Sequence, residues 1–260
     1  MNKKAFIITV RSKSTRLPEK CYRSIYPGLS MTEYIIKKCL YYNKFEIILA
    51  TTIDKSDDYL IELANFYKIK NYRGSEKDKI SRWIGASNKF KIDTLICCDG
   101  DDPFIDLKIG EDSASLLERE KACIVESVNV PCGSFTHAIN VKSLKRISKL
   151  YDTSSSEMMS YFFKKDKSCK YSYYDPNLEY ANLDVNNIRI TVDFIEDLRM
   201  ARVLTKIIKE RQIIGTAQEI INIYREKPEI FSINRHRQIE YRENQQRIVE
   251  TYQSPISKNV

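Results

Sequence analysis

The residues best suited to chemistry form the stretch Arg11-Ser-Lys-Ser-Thr-Arg-Leu-Pro-Glu-Lys20, directly after the apolar run Ala5-Phe-Ile-Ile-Thr-Val10. Arg11, Arg16 and Lys20 are cations at neutral pH, and Ser12, Ser14 and Thr15 place hydroxyls among them. With the apolar run as a strand, this loop leaves its carboxyl end, where open α/β sheets bind ligands. Guanidinium and ammonium groups among hydroxyls suit a polyphosphate far better than an apolar ligand. Leu17-Pro18 stiffens the turn that aims Lys20. The Walker spacing G-x-x-x-x-G-K-[ST] does not occur here, so this is a different kind of phosphate loop.

Asp99-Gly-Asp-Asp-Pro103 follows a second strand-like run, Thr94–Cys98. Its carboxylates are hard oxygen ligands, and magnesium binds through one or two of these together with substrate phosphates. Standing alone, the stretch reads as an acidic turn. Asp193 ends Arg189-Ile-Thr-Val and precedes a helical pattern, so it can cap that helix, ligate a metal, or do both. Arg73-Gly-Ser-Glu76 reads as a capped helix entry, with Asp78 three residues beyond Ser75. Gly74 there permits close approach to a base or ribose. A basic loop and an acidic cluster at one sheet edge define a joint site more sharply than either alone.

Short β-branched runs alternating with helical patterns must position these residues, and they predict an α/β chain with a mostly parallel sheet. The predicted strands are Ala5–Val10, Glu46–Thr51, Thr94–Cys98, Cys123–Ser127, Ala138–Val141 and Arg189–Val192. A helix is expected from Ser30, with Glu33 closing a capping box. Others are expected over Ser56–Phe66, Asp78–Asn88 and Ile195–Glu210, with one more opened by Thr216 and Glu219 and ended by Pro228. Residues 1–234 read as one domain, and 235–260 as a helical tail, either a surface helix or an oligomer contact.

Composition narrows the function classes. The 260 residues carry 43 Lys and Arg against 35 Asp and Glu, for a net charge of +8. The cations are interleaved with acids rather than clustered, so no nucleic-acid partner is expected. Seven cysteines without C-x-x-C spacing, and only His137 and His236 as histidines, argue against a structural zinc site. No run approaches eighteen apolar residues, and the first is too short for a signal peptide. A cytoplasmic protein without membrane insertion is expected.

Taken in order, these motifs resemble the cytidylyltransferases acting on sugar acids and related sugars. That group includes 3-deoxy-manno-octulosonate and acylneuraminate cytidylyltransferases and the SpsF-type spore-coat polysaccharide biosynthesis proteins. Arg11 to Lys20 is similar to the signature R-x-x-S-x-R-L-P-x-K. Ala50-Thr-Thr52 with Asp57-Asp58, Arg73-Gly-Ser-Glu-Lys-Asp78 and Gly100-Asp-Asp-Pro103 follow in the family's order. Thr191-Val-Asp193 with Glu196-Asp-Leu198 comes next, and Pro228-Glu-Ile-Phe-Ser-Ile-Asn234 is similar to the ending of the SpsF branch.

The resemblance implies a GT-A-like, Rossmann-like nucleotidyltransferase fold, CTP as donor, Mg2+ as cofactor, a small sugar-like acceptor and a homodimer. By motif position it implies that Arg11, Ser14, Arg16 and Lys20 bind the nucleotide, with Arg73 and Ser75 near it. Asp101 and Asp193 become the metal ligands, and Arg11, Lys20 and Asp101 the catalytic set. The implied reaction is in-line attack of an acceptor oxygen on the α-phosphorus, with pyrophosphate leaving, in surface-polysaccharide or glycoconjugate biosynthesis. A GT-A glycosyltransferase and a non-catalytic nucleotide-binding module are the alternatives.

Departures from the pattern are specific. Lys13 and Glu19 stand where the family usually has glycine. Asp99 and Asp102 crowd Asp101. Pro131-Cys-Gly-Ser-Phe-Thr-His137 is similar to P-x-G-x-x-x-E, with His137 in place of the acid, which implies an atypical acceptor.

Overall fold

The computed structural model describes residues 2–154, 156, 158–179 and 183–253. Its first half runs β1 (Lys4–Thr9), a small hairpin of β2 (Ser24–Tyr26) and β3 (Leu29–Ser30), α1 (Met31–Tyr42), β4 (Glu46–Thr52), α2 (Asp58–Phe66), β5 (Lys70–Gly74), α3 (Lys79–Phe90) and β6 (Thr94–Asp99). Then come α4 (Leu107–Glu120), β7 (Ile124–Ser127), β8 (His137–Asn140), α5 (Val141–Leu150), α6 (Met159–Lys165) and β9 (Tyr171–Tyr174). Helices close the chain: α7 (Ile195–Glu210), α8 (Ala217–Glu226), α9 (Pro228–Ser232) and α10 (Arg237–Gln253).

Among the described residues the main sheet has seven strands in the order β5-β4-β1-β6-β8-β7-β9. β1 pairs in parallel with β4 and β6, β4 with β5, and β7 with β9. β8 alone runs antiparallel to both its neighbours, β6 and β7. The expected α/β class with a mostly parallel mixed sheet is therefore the one observed. Both faces of the sheet are covered, which is why its strands read as unbroken apolar runs rather than alternating ones. In β1, Phe6 and Ile8 pack with Ile35 and Ile36 of α1, Leu60 of α2 and Leu117 of α4. Ala5 and Ile7 turn the other way, onto Trp83 of α3, Leu144 of α5 and Phe162 of α6.

A third core forms beyond the sheet, where Ile25 and Leu29 of the hairpin meet Leu198, Leu204, Ile220 and Phe231 of the C-terminal helices. The capping box at α1 is present, with Ser30 accepting from the Glu33 amide and Glu33 from that of Ser30. Pro228 ends α8 and also stands at the first position of α9, where a missing N–H costs nothing. No helix among the described residues is long and apolar enough to cross a membrane.

The predicted strand Arg189–Val192 is corrected. The segment is extended, and its alternation is real: Ile188, Ile190 and Val192 enter the third core while Thr191 and Asp193 face a cleft. Its backbone partners, however, belong to loops. Ile190 donates to the Cys132 carbonyl and Val192 to that of Asp101, leaving a single isolated bridge between Cys132 and Arg189. β5, β9 and the hairpin were not expected; they are short, and polar or tyrosine-rich rather than β-branched.

Candidate active site

The pairing of β1 with β6 puts Thr9 beside Asp99, so the basic loop and the acidic cluster leave adjacent strand ends. Gly100 makes this possible. Its amide donates to the Thr9 carbonyl at 2.8 Å, and a Cβ there would stand 2.8 Å from that same oxygen. Asp57 fixes the start of the basic loop. Its buried carboxylate accepts from the Ser12 amide at 2.7 Å, the Thr51 hydroxyl at 2.8 Å and the Thr52 amide at 3.1 Å. Burial pushes that carboxyl up, but the bonds from Thr52, Ser12 and Thr51 outweigh it and hold the group below the usual range.

Glu19 lies in the left-handed region at φ 55°, a conformation that L side chains adopt at a cost and glycine adopts freely. This accounts for glycine being usual there. Lys13 reaches Asp54 on the loop after β4, so the second departure from glycine adds a surface brace.

Lys20 then enters the centre of the site. Its Nζ donates to Asp101 Oδ2 at 2.9 Å, Asp193 Oδ1 at 3.1 Å and the Val192 carbonyl at 3.1 Å. Burial lowers its pKa, yet Asp101 and Asp193 more than reverse this and raise it to about 12. Arg16 donates to Asp193 Oδ1 at 2.6 Å, and Arg189 to Oδ2 at 2.9 Å. Burial works against ionisation of Asp193, but Lys20, Arg16 and Arg189 hold it well below the usual carboxylate range. The helix-capping role falls to Asp197, which accepts from the amides of Asp193 and Phe194. Asp197 also pairs with Arg189, and Asn234 donates to it at 2.8 Å.

The three neighbouring acids divide their work. Asp99 is held by Lys79 at 2.6 Å and by the Thr136 hydroxyl. Asp102 is buried; desolvation, then the charges of Asp101 and Asp99, drive its carboxyl well above the usual range. Asp101 keeps a third of its side chain exposed. Among the described residues no group of three or more His, Cys, Asp or Glu is placed to hold a metal alone. Asp101 and Asp193 nevertheless converge on one ammonium nitrogen, so their oxygens already bracket a cation. Two carboxylates completed by substrate phosphates is a donor set that fits magnesium.

A cleft of about 620 Å3 opens over these groups. Arg11, Ser14, Arg16, Lys20, Asp101 and Asp193 all line it. Arg73 and Ser75 lie outside the lining. The Arg73 guanidinium braces a loop through the Thr52 and Asp54 carbonyls and Asp58, and Ser75 bonds the Asp78 amide. Lining residues that the motifs did not single out include Lys79, Arg82 and Glu126.

The tail is the larger surprise. Tyr241, Asn244, Gln245 and Ile248 of α10 line the cleft, the i, i+3, i+4, i+7 spacing of one helix face. Arg237 anchors this helix to Glu196 through two bonds of 3.1 and 3.2 Å and lies over Phe194. Tyr241 covers the buried Arg189 guanidinium, 4.3 Å from ring centre to Cζ. The helical spacing in the tail was the available signal.

A doubly covered, mostly parallel sheet with one reversed strand, and a basic loop facing carboxylates across adjacent strand ends, is a nucleotidyltransferase architecture. A cytidylyltransferase from Leptospira borgpetersenii superposes with a TM-score of 0.78 at 21% identity, over 89% of this chain and 97% of that one. CMP:2-keto-3-deoxy-manno-octonic acid synthetase, solved as a complex with CTP, superposes with a TM-score of 0.60 at 15% identity, over 79% and 99%. The spore coat polysaccharide biosynthesis protein SpsF of Bacillus subtilis is 23% identical over 236 residues, 88% of this chain and 97% of that protein. The cytidylyltransferase family model matches residues 5–248, and the chain belongs to that family.

Proposed function

We propose that this protein transfers CMP from CTP to a hydroxyl or acid oxygen of a small sugar-like acceptor and releases pyrophosphate. The observation that carries the reading is the Lys20 ammonium held between Asp101 and Asp193 at 2.9 and 3.1 Å, at the mouth of a cation-rich loop. The acceptor oxygen attacks the α-phosphorus in line. The bond to the bridging oxygen breaks, pyrophosphate carries that oxygen away, and the acceptor proton passes to solvent or a neighbouring base. Arg11, Arg16 and Lys20 neutralise the charge that develops on the departing group. Positioning and electrostatics do most of the work in such transfers.

Asp101 and Asp193 would hold Mg2+, which when bound neutralises phosphoryl oxygens and orients the reactants. For Asp193 to ligate it, Arg16 or Lys20 must turn to the triphosphate, which attracts both. The reading places this transfer in surface-polysaccharide or glycoconjugate biosynthesis, supported by the family and the likeness to SpsF, and includes a cytoplasmic homodimer as a further proposal. The test is pyrophosphate release across the four nucleoside triphosphates against a panel of sugars. Turnover with CTP is expected, while release of nucleoside diphosphate from a nucleotide sugar would mean a glycosyltransferase instead.

A further inference from the structure

The segment that presents Asp193 receives little support from the sheet. The amides of Ile190, Thr191 and Val192 donate only to loop carbonyls, those of Cys132 and Asp101. Among the described residues the Asp193 carboxylate has three side-chain partners. Arg16 and Lys20 hold Oδ1, and both line the cleft. Arg189 holds Oδ2 at 2.9 Å and does not line it. A triphosphate in the cleft draws on the first two. Each cation it takes leaves more of the hold on Asp193 to Arg189, and a carboxylate that serves a site must be kept within about 0.5 Å of its working position.

Arg189 is gripped in turn by the end of the chain. Asn234, in the turn before α10, donates to the Arg189 carbonyl at 3.1 Å and to Asp197 at 2.8 Å. Arg237, at the start of α10, takes Glu196 and lies over the Phe194 ring, 4.7 Å from its centre. Tyr241 stands four residues further and so on the same helix face. Its ring covers the Arg189 guanidinium, with Cζ 4.3 Å from the ring centre. Three tail residues thus each hold a neighbour of Asp193 in the stretch 189–197. Arg189 is 1% exposed, and its Nη1 has no hydrogen-bond partner among the described residues. An aromatic face attracts a guanidinium, and most strongly where water is excluded.

We infer that Tyr241 is a positioning residue for Asp193 and acts through Arg189. The ring face fixes the guanidinium, the guanidinium keeps Oδ2, and Oδ1 stays turned to the cleft after Arg16 and Lys20 have moved to phosphate. The consequence for a bound cation rests on the transfer reading above. The hold on Asp193 in the unliganded chain does not. The tail then serves the site by stiffening one carboxylate, a role that needs no contact with a ligand.

The experiment uses the full chain and three substitutions, with two measurements on each. Amide hydrogen exchange at Asp193 and Phe194 is followed by NMR without ligand, since their bonds to Asp197 depend on the same guanidinium. The Kd for Mn2+ is read by electron paramagnetic resonance with a cytidine triphosphate analogue whose α–β bridging oxygen is a methylene. In Tyr241→Ala both amides should exchange about tenfold faster and Mn2+ should bind about tenfold more weakly. Tyr241→Phe keeps the ring and should match the natural chain in both. Tyr241→Leu keeps an apolar cover without a π face and should follow the alanine variant, and it carries the comparison if that variant fails to fold. Natural exchange rates and Mn2+ affinity in Tyr241→Leu, or losses in Tyr241→Phe equal to those in Tyr241→Ala, overturn the inference. Failure of Mn2+ and the analogue to bind the natural chain counts against the transfer reading and leaves the exchange rates to decide this one.

Discussion

Asp197 accepts the backbone amides of Asp193 and Phe194 at 2.9 and 3.0 Å, and so frees the Asp193 carboxylate to face the cleft. One acid terminates the helix while the other, four residues earlier, serves the site. Asp197 also balances Arg189, whose side chain is 1% exposed. Asp197→Ala therefore leaves a buried guanidinium short of a partner and two amides uncapped. We expect a loss of about 3–5 kcal/mol in unfolding free energy, measured by urea denaturation, with activity falling because Asp193 is no longer held.

Asp101 offers the opposite balance. It is a third exposed and its pair with Lys20 is partly solvated, so its contribution to folding is small. Asp101→Asn should keep the melting temperature within a few degrees and lower pyrophosphate release by about 10²–10³-fold, the scale of losing one preorganised electrostatic group. Asp102→Asn, at a buried carboxyl whose ionisation desolvation and the neighbouring acids disfavour, should lose far less. Near-full turnover in Asp101→Asn would remove this residue from the mechanism.

His137 sets a pH dependence of stability. Burial drives its pKa down to about 4, against the opposing pull of Glu126 and Asp99. Below the ordinary value near 6.5 the unfolded chain takes up a proton that the native ring refuses. Stability is thus lost as pH falls from about 6.5 towards 4, and no further below that. Between pH 7 and pH 4.5 the linkage amounts to about 2 kcal/mol. His137→Gln should lose that much less than the natural chain over the same interval, measured by chemical denaturation at each pH.

Glu19 occupies a left-handed conformation at φ 55°. Among the described residues its side chain makes no cap bond at the short helical turn that follows. Glu19→Gly should raise stability by roughly 0.5–1 kcal/mol, the left-handed penalty less the greater freedom of glycine in the unfolded chain. An unchanged or lower melting temperature would contradict this.

Much of the site was legible because its residues lie next to strand ends, and strands buried on both faces announce themselves as apolar runs. Arg11, Arg16, Lys20 and Asp101 could be placed in one region from that alone, whereas Asp193 ends an extended segment outside the sheet and joined them only through the family resemblance. Arg73 and Ser75 show the limit: their types suit a nucleotide, but local carbonyls and an amide claim both side chains. Residues 189–192 show another, because alternation reveals an extended chain without saying whether a sheet or a pair of loops will receive its hydrogen bonds. The role of α10 was hidden for a different reason. Its inner face is tyrosine, two amides and an isoleucine, which carry no charge or metal-binding signal of their own. Only the folded chain brings that face over the cleft.

At the junction of the cleft the permanent charges already cancel. Arg16, Lys20 and Arg189 make three positive groups, and Asp101, Asp193 and Asp197 make three negative ones, all joined in one set of ion pairs. A polyanion entering here does not fill a vacant positive pocket. It must trade, taking Lys20 or Arg16 from a carboxylate and leaving a compensating cation in exchange. Binding at this point is a swap of counterions, and a nucleotide that arrives without its own positive ion has nothing to offer the carboxylates it would strip.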